Sequence, residues 1–196
     1  MNDLTEEIAA VAARLIVDEG MEWGPAKQRA ARDLGAPRAA LPGNDEVEAA
    51  VREHIAIFHA ETQPAELRAL RELAAQWMAR LAEFRPHLTG AVWRGTATRL
   101  SNIHLQLYCD DSKATEIALL DHGVDFDTAE TKGPKGRAVD MLVLDAPCPA
   151  LGERVTICLT ILDFDDLRGA LKPDAGGRTE RGDLGALKQL LDKEDE

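Results

Sequence analysis

The chain has 196 residues, 35 acidic against 23 basic, for a net charge of −12, with 45% apolar, 30% charged and 4% aromatic residues. These proportions suit a folded globular protein and exclude collagen, coiled coil or disorder as a description of the whole chain. The charge opposes attraction to polyanions, so neither nucleic acid nor an anionic membrane surface is an expected partner.

No run of about 18 apolar residues is present, and the opening Asp3-Leu4-Thr5-Glu6-Glu7 is acidic where a secretory signal is basic. A cytoplasmic location is expected. The odd set Cys109, Cys148 and Cys158 lacks Cys-x-x-Cys spacing and lies in or beside apolar runs; reduced, buried thiols are expected rather than disulfides or zinc ligands.

In chain order, Leu4, Ile8, Val11, Ala12, Leu15 and Ile16 recur at helical spacing and predict a helix over 3–19, capped by Asp3 and stopped by Gly20. Pro25 opens a second, short helix closed by Gly35. A Pro/Gly-rich connector follows, then a helix capped by Asn44 or Asp45, with Val47, Val51, Ile55 and Phe58 on one stripe. His54 and His59 are five apart, a spacing that does not put two imidazoles on one helical face, so core or surface histidines are expected rather than a metal pair. Pro64 starts a longer helix that runs to about Phe84, with Leu67, Leu70, Ala74, Trp77, Met78 and Leu81 inward.

From Leu88 the period shortens. Strands are predicted at 88–93, 102–109, 137–144 and 154–162, with a short one at 124–126 and a helix over 112–122. A Gly/Arg/Asp-rich loop and an amphipathic helix bearing Leu184, Leu187, Leu190 and Leu191 follow, and the acidic end from Asp192 is expected to fray. The fold class is therefore α+β: an N-terminal helical region (1–87) packed on a small mixed sheet with a crossover helix (88–167), then a loop and tail helix (168–196).

The stretch Gly90-Ala91-Val92-Trp93-Arg94-Gly95, followed by Ser101-Asn102-Ile103-His104-Leu105, resembles the signature of the nucleotidyltransferase superfamily of minimal nucleotidyltransferases and polymerase-beta-like enzymes. There a Gly-Ser turn precedes Ser-Asp-hydrophobic-Asp on the next strand, and ten residues lie between Ala91 and Asn102 here. The helix before, the helix after and the following strand continue the likeness over 64–145. Its chemistry rests on a glycine that lets backbone approach a triphosphate. It also needs two carboxylates at i and i+2 on one strand face, with a third beside them, to clamp metal.

This chain departs at the carboxylates: Asn102 and His104 stand in their places, and Ala91 in that of the serine. The resemblance implies a nucleotide or phosphate site at Gly90, Ala91, Arg94, Gly95 and Arg99. It implies reacting positions at Asn102, His104 and Asp140, and nucleotidyl transfer that is absent or weak. An active form would hold Mg²⁺ or Mn²⁺ with a nucleoside triphosphate on Asp140 and Asp110 or Asp111, although Asp111 or Ser112 also suits a helix cap. A third reading is a non-catalytic module that binds a protein partner through the helical region. Alternation places Asn102, His104, Gln106 and Tyr108 on one strand face, either solvent-exposed or lining a groove. Lys132, Lys135 and Arg137 read as a solvated hairpin tip, and Arg168, Arg178 and Arg181 as partners of acidic surface or a lid. No phosphate loop, Gly-x-Ser-x-Gly elbow, His-Glu-x-x-His helix or EF-hand loop is present.

Overall fold

A computed structural model describes residues 3–168, 172–173 and 177–194; parts of the Gly/Arg-rich loop (169–171, 174–176) and the last two acidic residues lie outside them. The described residues form α1 (Asp3–Glu19), α2 (Trp23–Asp33), α3 (Asn44–Phe58), α4 (Gln63–Arg80), β1 (His87–Thr89), α5 (Gly90–Arg94), β2 (Ile103–Tyr108), α6 (Ser112–Asp121), β3 (Asp127–Lys132), β4 (Ala138–Cys148), β5 (Glu153–Leu162), β6 (Arg181–Gly182) and α7 (Leu184–Glu194). This is an α+β fold, and no helix among the described residues is long and apolar enough to cross a membrane.

The chain divides into two compact units: Met1–Leu67 with Thr96–Ser101, and Arg68–Gly95 with Asn102–Glu196. In the first, Ile8, Ala12, Leu15, Val47 and Val51 are almost fully buried and form the core between α1, α2 and α3. The loop 96–101 is threaded into it: the Gln63 amide donates to Ala97 O at 2.9 Å, and Glu66 accepts from the Arg99 amide N–H at 2.9 Å. Gly20 adopts φ +68° where a Cβ would meet Leu100 Cβ at 3.0 Å. A side chain is therefore refused there on both counts.

The second unit is built on a six-stranded mixed sheet of order β3-β4-β5-β2-β1-β6. β2 and β5 run parallel and every other neighbouring pair antiparallel. Leu88, Ile103, Leu105, Leu107, Leu142, Leu144, Ile157 and Leu159 form its buried apolar face, at most 2% exposed.

Several local expectations are corrected. The strand predicted over 88–93 ends at Thr89, because Gly90 at φ +74° turns the chain into α5; Leu88 and Val92, four apart, satisfy a helical period as well as a strand period. Gly43 rather than Asn44 or Asp45 caps α3, its N–H donating to Glu46 Oε2 at 2.6 Å. The longer helix stops at Arg80, and a separate 3-10 turn covers Ala82–Phe84. Residues 124–126 form no strand: the Val124 N–H donates back to Leu119 O and closes α6. The tail does not fray at Asp192, since α7 continues to Glu194, whose carboxylate pairs with Arg71.

Candidate functional site

The sheet face opposite the apolar one carries the residues that alternation put together. Asn102, His104 and Gln106 are half-buried, while Tyr108 is fully buried. Strand register sets Thr89 beside His104, and Cys158 and Thr160 beside His104 and Gln106 on the other flank. Gly90 lies against this strand, and a Cβ there would stand 3.5 Å from His104 Cδ2. Gly95 is the left-handed cap of α5, at φ +83°.

Arg181 closes the far end of the face. β6 pairs with β1, setting Arg181 beside Thr89, and its guanidinium Nη1 donates to Gln106 Oε1 at 2.7 Å and to the Tyr108 hydroxyl at 3.2 Å. The Tyr108 hydroxyl donates to the same Gln106 oxygen at 3.1 Å, and His87 packs edge-on against the Tyr108 ring at 5.3 Å. The segment before β6 is anchored to α5 and β1. Trp93 Nε1 donates to Thr179 O at 2.7 Å and the Thr89 hydroxyl to Glu180 O at 3.0 Å. Arg71, an arginine on the inward stripe of α4, is 6% exposed. It donates to Val92 O and Trp93 O, each at 3.0 Å, and to Glu194, which joins the end of α5 to α7.

The sheet does not bring all the anticipated residues together. Asp140 has the parity of Leu142 and Leu144, on the sheet face opposite that of Asn102 and His104, and β5 separates its strand from β2. Arg99 belongs to the helical unit, while Gly90, Ala91, Arg94 and Gly95 belong to the sheet unit. Asp111 caps α6, accepting from the Lys113 N–H at 2.9 Å. Asp110 and Asp140 do share a cleft of about 310 Å³ at the carboxyl ends of β2 and β5, with Asp163, Asp166 and Lys135. Such strand ends are common ligand positions in open sheets. Lys135 pairs with Asp166 there, at 2.5 Å. Burial pushes the Cys109 thiol in this cleft up; hydrogen bonds to Thr115 and to the Asp111 backbone pull it part of the way back, and the Asp111 and Asp110 charges add smaller upward pushes. At neutral pH it is a thiol, not a thiolate nucleophile.

The helical unit holds a group that spacing argued against. His54 Nε2 lies 3.1 Å from Asp18 Oδ1, and His59 Nε2 lies 3.0 Å from the same oxygen. Helical spacing does not govern this pair because His59 sits past the end of α3, at φ −130°. Among the described residues, this is the group of three whose metal-ligating atoms lie within 4.8 Å of one another.

No family model matches the chain, and no curated protein matches it. Among solved structures it is similar to the Cid1 poly(U) polymerase, determined with MgGTP bound and described for its UTP selectivity. The TM-score is 0.35 and the identity 11%, over 48% of this chain and 32% of that one, so the chain spans about a third of that protein's length.

Proposed function

We propose that the chain is a divergent protein on a nucleotidyltransferase-like scaffold that binds a nucleotide or another phosphate-bearing ligand on the sheet face of His104 and Gln106, with nucleotidyl transfer absent or weak. One observation carries this reading. The face that joins Gly90 to His104 ends on the Arg181 guanidinium, with the Asn102 and Gln106 amides and the His104 imidazole between. A guanidinium beside amide and imidazole groups favours an anion, whereas two bound magnesium ions need clustered carboxylate oxygens. Asp140 supplies no carboxylate to that face.

The test is thermal unfolding with nucleoside triphosphates and inorganic triphosphate, in EDTA and in Mg²⁺. Binding at 100 times the dissociation constant stabilises by about 2.7 kcal/mol and raises Tm by several degrees. The rise is expected in EDTA as well, with affinity at least tenfold weaker in Arg181→Gln and His104→Ala. The double substitution Asn102→Asp with His104→Asp is expected to exchange metal-free binding for Mg²⁺-dependent binding. No shift with any phosphate compound at millimolar concentration overturns the reading.

A second reading, an active enzyme with a displaced metal site, rests on the cleft shared by Asp110 and Asp140. It predicts label transfer from a nucleoside triphosphate that Asp140→Ala abolishes and Asn102→Ala leaves unchanged.

A further inference from the structure

We propose that Asp18, His54 and His59 bind one divalent transition-metal ion of the zinc class, in the helical unit and independently of the sheet face. The three donors come from separate places: Asp18 from the last turn of α1, His54 from α3, and His59 from the residue that follows α3. Packing of α1 on α3 brings them to one point.

Two atoms bound to one ion at about 2.0–2.1 Å lie about 2.9 Å apart at a right angle and about 3.4 Å apart at the tetrahedral angle. The Asp18 oxygens stand 3.0–3.2 Å from the two imidazole nitrogens, inside that range. The remaining edge, between the imidazoles, is within 4.8 Å, and the His59 side chain, 30% exposed, has room to turn and close it. His54 is 14% exposed and held against the Phe58 ring at 4.7 Å, so one ligand is already oriented.

Without an ion, both imidazole Nε2 atoms converge on the one Asp18 carboxylate; an ion bonds all three groups at once, each Nε2 having passed its proton to Nδ1 or released it to solvent. Burial pushes the Asp18 carboxyl up, but the hydrogen bonds from His59 and His54 and their charge together hold it below its ordinary value. Two imidazoles and one carboxylate suit zinc, cobalt, nickel or ferrous iron, and disfavour magnesium and calcium, which take oxygen ligands. Three protein donors leave a further position for water or a small ligand.

The full-length chain, stripped with EDTA and dialysed, is titrated with Zn²⁺ and with Co²⁺. One ion per chain is expected, with cobalt d–d absorption and no thiolate charge-transfer band. His59→Gln and Asp18→Asn should each weaken binding at least tenfold while the far-ultraviolet circular dichroism of the metal-free protein is unchanged. Zinc should raise Tm by several degrees in the wild type only. Sub-stoichiometric binding, a thiolate band, or affinity indifferent to both substitutions overturns the site. If a variant fails to fold, the wild-type cobalt stoichiometry and spectrum decide alone.

Discussion

Arg71 shows how much one side chain holds. Its guanidinium answers two carbonyls at the end of α5 and the Glu194 carboxylate, so Arg71→Ala strands three acceptors in a mostly dry site. A loss of about 3 kcal/mol is expected, read as a lower urea midpoint with unchanged slope. Arg71→Lys should recover little, because one ammonium cannot span the three acceptors as a planar fork does. A second residue-level expectation concerns Cys109, whose thiol burial pushes up. Its folded-state pKa is raised, so the reactive thiolate fraction at pH 7.5 is below that of a free thiol and grows as pH rises. Alkylation by iodoacetamide, followed by peptide mass spectrometry, should be slower than for free cysteine and still accelerating beyond about pH 9. A plateau below pH 8 would contradict the assignment.

At the scale of elements, Gly182 is where β6 meets α5. A Cβ at that position would stand 2.2 Å from Trp93 Cη2, with two more ring atoms within 2.8 Å. Gly182→Ala must therefore displace the indole or peel β6 from β1, at a cost of about 1–3 kcal/mol. Chemical denaturation measures that cost, and Trp93 fluorescence should report the displaced ring. Element identity was largely legible in the sequence. The stripe through Leu4, Ile8, Leu15 and Ile16 predicts α1 as observed, and the alternation over 102–109 predicts β2. What no local pattern carries is register. Asp140 reads as a neighbour of Asn102 and His104 only until β5 is placed between the strands, where parity turns it to the other face. The sequence reads Arg181 only as one of three arginines of a lid or acidic surface and sets His59 aside as a ligand on helical spacing, for a related reason. One acts from a two-residue strand, the other from beyond a helix end, and neither position has a period.

For the whole molecule the dominant quantity is charge. At −12, self-repulsion opposes the compact state, and the surface ion pairs, such as Arg29 with Glu19 at 2.8 Å, are exposed and individually weak. Raising ionic strength shortens the screening length from about 30 Å at 0.01 M to about 8 Å at 0.15 M. Tm is therefore expected to rise with sodium chloride over that range; a fall in scanning calorimetry would show that attractive pairs outweigh the repulsion.

β1 has one neighbour, β2, that follows it closely and another, β6, that arrives some ninety positions later. While the polypeptide is being synthesised, the three residues of β1 therefore wait with one row of amide and carbonyl groups unsatisfied until β6 emerges. Unpaired rows of that kind recruit other strands. A chain broken off before Arg181 would leave that row permanently sticky, so the cost of such a lesion would be paid in aggregation and chaperone load as well as in lost contacts.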